Sequence, residues 1–153
     1  MSTPQFGDPE GGRRHQDRAA AFGVLERGGR IAAVRVTKPG HAPWIDLPGG
    51  ALDPGEDDRR ALVREFGEET GLAVAPGAFL GRADQFFINT DGVAYNNRSA
   101  LFQAIFEGEA PHLKVDEDHE LVWIEPLEAI KRLRHGAHAW AVAAWLRRLA
   151  ERL

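Results

Sequence analysis

Three glutamates with helical spacing stand out as residues that could do chemistry. Glu65, Glu68 and Glu69 lie at positions i, i+3 and i+4, so in a helix their side chains share one face. Like charges on one face repel each other, and no basic residue stands four residues after Glu65 or Glu68 to compensate. Carboxylate oxygens clustered in this way suit a hard divalent cation such as Mg²⁺ or Mn²⁺. A solvated acidic helix face is the alternative that this spacing leaves open.

The segment around these glutamates carries a longer pattern. It runs from Gly50 to Leu72 and reads GALDPGEDDRRALVREFGEETGL. It resembles the Nudix box, G-x5-E-x7-R-E-U-x-E-E-x-G-U, in which U is a bulky aliphatic or aromatic residue. All positions that the pattern defines are matched, by Gly50, Glu56, Arg64, Glu65, Phe66, Glu68, Glu69, Gly71 and Leu72. The chain is therefore identified as similar to the Nudix hydrolases, and within them to the MutT-like group.

This resemblance implies an activity and a set of roles. The implied reaction is Mg²⁺-dependent hydrolysis of the pyrophosphate bond of a nucleoside diphosphate linked to another moiety, with Mn²⁺ as a second cation that would fit. Glu65, Glu68 and Glu69 would hold the metal, Glu69 would also be a candidate base, and Arg64 would orient a glutamate through a charge-assisted hydrogen bond. The catalytic set is then Glu69, Glu68 and Arg64. Supporting roles would fall to Gly50, Glu56 and Gly71.

A second acidic run, 116–120, precedes a predicted strand at Leu121–Ile124. Many Nudix relatives supply an extra carboxylate from a loop in this region, as a base or a further metal ligand. Glu117 and Glu120 are our candidates for it, and a plain solvated loop is the alternative. We expect His119 to be a loop residue, because hard cations prefer oxygen ligands.

The substrate is less clearly indicated. Markers of the ADP-ribose, dinucleoside-polyphosphate and NADH branches are missing after the box, and the upstream marker of the coenzyme A branch is missing too, which favours the MutT-like group acting on nucleoside triphosphates. Dinucleoside-polyphosphate or nucleotide-sugar hydrolysis is the alternative. The segment 84–98 could recognise the base, by stacking and hydrogen bonding. Its candidate substrate-binding residues are Phe86, Tyr95, Asn97 and Arg98.

Composition excludes several other classes. The chain has 153 residues, 19 basic and 23 acidic side chains and no cysteine. The lack of cysteine rules out a disulfide scaffold, a thiolate zinc site and the isopentenyl-diphosphate isomerases, which share the fold but need an active-site cysteine. The net charge of −4 speaks against a nucleic-acid partner. A non-catalytic nucleotide-sensing module remains a further alternative.

The pattern of elements predicts how these residues are positioned. Apolar runs at Ala19–Leu25 and Ile31–Val36 around a Gly-Gly pair predict a β-hairpin, Asp57–Thr70 predicts a helix, and further strands and two helices follow. We expect an α/β fold: the Nudix-type α/β/α sandwich, with a mixed β-sheet between helices. Residues 1–17 are expected to be a flexible arm and 18–153 a single domain.

Location and assembly are expected from what the sequence lacks. Residues 1–17 contain no apolar stretch of a secretory signal, and no apolar run is long enough to span a membrane. We therefore expect a cytoplasmic protein whose partner is a nucleotide-type small molecule, with no membrane and no nucleic acid involved. The relatives imply a monomer or a homodimer.

Overall fold

The structure, a computed structural model, describes residues 2–153. The strands are β1 (Gln5–Phe6), β2 (Gln16–Val24), β3 (Glu26–Arg27), β4 (Arg30–Val36), β5 (Trp44–Asp46), β6 (Gly49–Ala51), β7 (Leu72–Ile88), β8 (Ala94–Glu109) and β9 (His119–Ile124). The helices are α1 (Asp58–Thr70), α2 (Pro126–Arg132) and α3 (Gly136–Ala150).

The strands form two sheets. The larger has the order β1-β7-β8-β2-β6 and is mixed, because β1 runs parallel to β7 and β2 parallel to β8. In the smaller sheet β4 pairs antiparallel with β3, β5 and β9. One apolar core packs α1 against the sheets and the other packs α2 and α3 against them. The predicted mixed sheet between helices is confirmed, with a second sheet that the sequence pattern did not separate.

Helix α1 is capped at both ends. The Asp57 side chain accepts a hydrogen bond of 2.8 Å from the Arg60 N–H, a cap that stabilises a helix by about 1 kcal/mol. Gly71 ends the helix with a φ of 73°, a left-handed conformation that glycine adopts without steric cost. Leu62 and Phe66, both fully buried, fix which side of the helix faces the sheet. The glutamates therefore lie on a different side of the helix from Leu62 and Phe66.

The predicted hairpin differs from the structure. Only the last residue of the run Ala19–Leu25 reaches β4, where the Leu25 carbonyl accepts the Ala32 N–H at 2.9 Å; most of the run forms β2, which lies between β8 and β6. The physical reason is burial, because every residue from Ala20 to Val24 is buried and both faces of the strand are covered. Gly28 and Gly29 do form a two-residue turn, but it joins the short β3 to β4.

The first 17 residues also differ from expectation. Gln5 and Phe6 form β1 beside β7, and β2 already begins at Gln16. Phe6 packs against Gly136 so closely that a Cβ at that glycine would lie 2.6 Å from the phenyl ring. A two-residue strand is too short to produce a periodic signal, which is why composition alone indicated an arm. Among residues 2–153, no helix has the length and apolar character needed to cross a membrane.

Candidate active site

Helix α1 presents its glutamates to a cavity of about 270 Å³. Glu65 and Glu69 line it, together with Gly49 and Gly50 of β6. Glu69 is 6% exposed, so its carboxylate stands among protein atoms rather than in water. Glu65 is partly buried, and burial raises the pKa of its carboxyl. We call these two residues, with the neighbouring Glu68, the carboxylate lining.

Arg64 holds the carboxylate lining in place from behind. Its Nε and Nη2 donate to the two oxygens of Glu56, both at 2.8 Å, which is the two-pronged geometry of a strong guanidinium–carboxylate pair. Its Nη1 donates to Glu65 at 2.9 Å and to Glu68 at 3.2 Å. The hydrogen bond from Arg64 lowers the pKa of Glu56 to about 2, so this carboxylate stays ionised. These contacts are the ones that an orienting role for Arg64 and Glu56 requires.

Both oxygens of Glu69 have hydrogen-bonding partners. The Gly49 N–H donates to Oε1 at 3.0 Å, and Nε2 of His119 lies 3.2 Å from Oε2. The other ring nitrogen of His119 lies 2.7 Å from Asp118, which is itself paired with Lys38. Burial raises the pKa of Glu69 to about 7 against the opposing effect of His119. Burial would lower the pKa of His119, but the carboxylates on its two nitrogens raise it to about 9.

The expectation that His119 is only a loop residue is therefore wrong. It begins β9 and touches the most buried of the glutamates. The His119 side chain has no oxygen atom, which makes it a weak candidate ligand for a hard cation. Its imidazole can nevertheless form a hydrogen bond with a carboxylate.

The acidic run delivers a carboxylate to the cluster, and that residue is Asp116. The backbone N–H groups of Val115 and Asp116 both donate to the Glu68 carbonyl, at 2.9 and 3.0 Å, which ties this loop to the end of α1. Ligand atoms of Glu65, Glu68 and Asp116 lie within 4.8 Å of one another, and so do those of Glu69, Asp116 and His119. Sequence reasoning passed over Asp116, because a run of acids gives no register by which to choose among them.

The two residues chosen from that run lie elsewhere. Glu117 is exposed and belongs to neither group of candidate metal ligands within residues 2–153. Glu120 faces Arg35 across the β4–β9 pair and lines a different cavity, beside Trp44. The alternation of side chains along β9 separates Glu120 from His119, which points toward the glutamates.

The two glycines of β6, the strand before α1, are required by close packing. A Cβ on Gly50 would stand 2.8 Å from the Glu65 carboxyl carbon, and one on Gly49 would stand 2.1 Å from the Ala21 carbonyl oxygen. Gly49 also has a φ of 144°, which favours glycine. The backbone can thus approach the carboxylates closely enough for the Gly49 N–H to bind Glu69.

The cavity has a second lining, from the larger sheet and α3. It contains Arg18 of β2, Phe87 of β7, Asn97 of β8 and His138 of α3. We call Arg18, Asn97 and His138 the donor lining, because each has N–H groups. Arg18 donates from Nε to Oδ1 of Asn97 at 2.9 Å. Of the three residues of the donor lining, the sequence indicates only Asn97 as a candidate.

The other predicted substrate-binding residues do not line this cavity. Phe86 and Phe87 alternate across β7, so Phe87 faces the cavity while Phe86 packs edge-on against His15 on the other face. Tyr95 lies behind the lining, with the Arg18 guanidinium 4.1 Å from its ring centre.

Arg98 is likewise placed away from the cavity. Its neighbour Asn97 takes the cavity face of β8, so Arg98 points to the opposite face. There its Nε lies 2.7 Å from Asp84, and its Nη1 lies 3.3 Å from Asp17. These ion pairs hold the guanidinium on the far side of the sheet.

The carboxylate cluster fits a hard divalent cation. The group of Glu65, Glu68 and Asp116 offers oxygen atoms only, at a spacing close enough to share one ion. Arg64 fixes two of these side chains beforehand, so part of the cost of ordering them is already met.

Known proteins resemble this chain in sequence over most of its length. A model of the NUDIX domain matches residues 14–146. The CTP pyrophosphohydrolase of Escherichia coli is 30% identical, over 71% of this chain and 76% of its own length. A Mycobacterium tuberculosis protein named "Putative 8-oxo-dGTP diphosphatase 2" is 34% identical, over 69% of this chain and 72% of its own length. Another relative from that organism is 32% identical, and the match spans 44% of its length.

Solved structures show the same fold. The NUDIX hydrolase from Nitrosomonas europaea superposes with a TM-score of 0.69, covering 86% of this chain and 90% of that one at 21% identity. The family match extends over most of the chain and includes both the glutamate helix and the cavity. The chain therefore belongs to the NUDIX domain family and is a MutT-like Nudix hydrolase.

Proposed function

We propose that the chain hydrolyses the pyrophosphate bond of a nucleoside diphosphate linked to another moiety, with Mg²⁺ as cofactor and nucleoside triphosphates, ribo or deoxy, as the leading substrates. The observation that carries this proposal is the gathering of Glu65, Glu68 and Asp116 beside the buried Glu69. This cluster adjoins a cavity that also offers a guanidinium, Arg18, and an aromatic ring, Phe87.

The residues divide the work of the reaction. Glu65, Glu68 and Asp116 would hold the divalent cation, with Glu69 as a further ligand or the base. Mg²⁺, when bound, supplies positive charge that neutralises the phosphates and polarises the phosphorus that is attacked. Glu69, with a pKa of about 7 raised by burial, is suited to take a proton from the attacking water near neutral pH. Arg64 holds the Glu65 and Glu68 carboxylates in position through hydrogen bonds from Nη1.

The relatives favour nucleoside triphosphates over the alternatives. Two of them carry names that refer to CTP and 8-oxo-dGTP, both nucleoside triphosphates. Dinucleoside polyphosphates and nucleotide sugars are the second candidate class, and a solved neighbour called an ADP compounds hydrolase shares the fold at 18% identity. Substrates of either class are met in the cytoplasm, where we expect the protein to act.

A nucleotide panel tests the proposal. The purified chain is incubated with ribo- and deoxynucleoside triphosphates, dinucleoside polyphosphates and nucleotide sugars, each with Mg²⁺ and each with EDTA. We expect release of pyrophosphate and a nucleoside monophosphate from triphosphates, and no release in EDTA. Absence of hydrolysis across the whole panel would refute the proposed activity, whereas turnover of the sugar or dinucleotide forms alone would shift it to the second class.

A further inference from the structure

Arg18 is a cation of the cavity whose charge is not matched by an ion pair. Its guanidinium is half-buried, and burial lowers its pKa. Over residues 2–153 it forms no salt bridge, in contrast to Arg134 of the same cavity, which is bound to Asp46 at 2.8 Å. A cation withdrawn from water without a carboxylate is costly unless another acceptor meets it. Arg18 therefore has unused capacity to bind a ligand.

The geometry of Arg18 leaves a particular edge free. Nε is taken by Oδ1 of Asn97, and the guanidinium plane is backed by the Tyr95 ring at 4.1 Å. Among residues 2–153, the Tyr95 side chain is a further hydrogen-bonding contact of the guanidinium, and no carboxylate pairs with Nη1 or Nη2. Two parallel N–H groups held in this way match a pair of adjacent acceptors better than a single one.

His138 adds a further N–H group to this lining. His138 is 2% exposed, and its Nδ1 accepts the Leu47 N–H at 3.1 Å, so the proton of the neutral ring stands on Nε2. The Asp46 oxygens are occupied by Trp44 and Arg134. Phe87 supplies a flat apolar surface on which a base can stack.

We propose that Arg18 determines base specificity, by donating two hydrogen bonds to adjacent acceptors on the base of the substrate. Guanine offers such a pair in O6 and N7, and cytosine offers one in O2 and N3. In adenine, both N1 and N7 lie next to the N6 amino group, which is a donor, so neither edge presents two adjacent acceptors. In thymine, the N3–H donor lies between the two carbonyl acceptors and separates them. In 8-oxoguanine N7 carries a proton, which removes the guanine pair. The inference rests on the proposed function and names its substrate class: nucleotides of guanine or cytosine.

The test compares three variants with the natural chain. kcat/KM is measured with Mg²⁺ for dGTP, dCTP, dATP, dTTP and 8-oxo-dGTP. Arg18→Met removes the two donors, and Arg18→Lys keeps the charge as a single point without the paired geometry. Arg98→Met is the matched control, since Arg98 follows the Asn97 partner of Arg18 on β8 but lies on the other face of the sheet.

We expect the natural chain to prefer dGTP or dCTP over the other three nucleotides, and the relative rates of these two to tell which base is read. Arg18→Met should lower kcat/KM for the preferred nucleotide by roughly 10- to 100-fold, with little change for dATP. Arg18→Lys should not restore the preference, and Arg98→Met should keep it. Equal losses for all five nucleotides, or full recovery with lysine, would show that Arg18 binds phosphate and would overturn the proposal.

A binding measurement separates this inference from the hydrolysis it rests on. Calorimetry in EDTA follows dGMP, dCMP and dAMP binding to the natural chain and to Arg18→Met. Tighter binding of dGMP or dCMP than of dAMP, lost in Arg18→Met, supports base reading even where no triphosphate is hydrolysed. Binding that ignores the base would refute the inference while leaving hydrolysis intact.

Discussion

The two linings of the cavity are built in opposite ways. The carboxylate lining comes from one helix, α1, whose residues Glu65, Glu68 and Glu69 are neighbours in the sequence. The donor lining comes from β2, β8 and α3, so that Arg18 and His138 are 120 positions apart in the chain. Chemistry that needs charges at a fixed spacing can be supplied by a single helix, because its geometry sets that spacing. Recognition of a ligand's shape requires groups from several directions.

The electrostatics of the two linings differ as well. The carboxylates of α1 repel each other, and Arg64 offsets this by binding Glu56, Glu65 and Glu68 together. In the donor lining the positive charge of Arg18 meets an amide and an aromatic ring instead of a carboxylate. One lining is therefore prepared for a cation and the other for acceptor groups. Substitutions in the carboxylate lining should therefore change the rate of turnover, and substitutions in the donor lining should change the selectivity among substrates.

The largest effect is expected from Glu69→Gln. The amide keeps an oxygen for the Gly49 N–H but cannot take a proton, so kcat should fall by about 10²- to 10⁴-fold. Circular dichroism and thermal unfolding should show a folded protein. The ranking of substrates by kcat/KM should be unchanged, since base recognition belongs to the other lining. A Glu69→Gln variant with the full kcat would show that Glu69 does not take part in the reaction.

A smaller effect, on metal affinity, should distinguish Asp116 from its neighbour. Asp116→Asn removes a charge from the group it forms with Glu65 and Glu68, and the Mg²⁺ concentration for half-maximal rate should rise by about 10- to 100-fold. Glu117→Gln is the matched control one position away, where the side chain is exposed and the metal requirement should not change. Mn²⁺ binding measured by electron paramagnetic resonance checks affinity without turnover. The reverse pattern would assign the extra carboxylate to Glu117.

Arg64→Lys should weaken the carboxylate lining without abolishing it. Lysine keeps the positive charge but cannot hold Glu56 through two parallel hydrogen bonds while also reaching Glu65 and Glu68. We expect a loss of about 10-fold in kcat/KM, with substrate ranking retained. If Arg64→Lys changed the ranking of substrates without lowering kcat/KM, the two linings would not have separate roles in turnover and selectivity.

The contrast also explains what the sequence could predict. The extent of α1 and the shared face of its glutamates depend on local contacts; the sequence predicts both, with the helix beginning one residue later than expected. The pairing of β2 was not, because an apolar run between turns fits an antiparallel hairpin as well as a central strand. That pairing decides whether Arg18 meets Asn97 at all.

The same limit applies to single residues. Phe86 and Phe87 differ by one position, and only the register of β7 decides which of them faces the cavity. Asp116, Glu117 and Glu120 are chemically equivalent in a sequence, and backbone hydrogen bonds to the Glu68 carbonyl select Asp116. Residues chosen by long-range pairing therefore lay beyond sequence reasoning, whereas those fixed by helical spacing did not.

The smallest expected effect concerns the pH dependence of stability, and it tests whether His138 of the donor lining is neutral in the folded protein. Burial, aided by the nearby Arg134 charge, lowers the pKa of His138 from 6.5 to about 3. Between these values the unfolded chain binds a proton that the folded chain does not, so stability falls as the pH falls. The contribution of His138 is about 1.4 kcal/mol per pH unit across this window.

Urea unfolding at pH 7.5, 6.0, 5.0 and 4.5 measures this slope. His138→Asn keeps an acceptor for the Leu47 N–H but does not titrate, so its stability should fall less steeply below pH 6 than that of the natural chain, whatever its stability at pH 7.5. His112→Asn, at an exposed position, should keep the natural slope. Parallel curves for His138→Asn and the natural chain would mean that His138 is charged when folded. Its Nδ1 would then carry a proton and could not accept from Leu47, and the assignment of Nε2 as a fixed donor would fail with it.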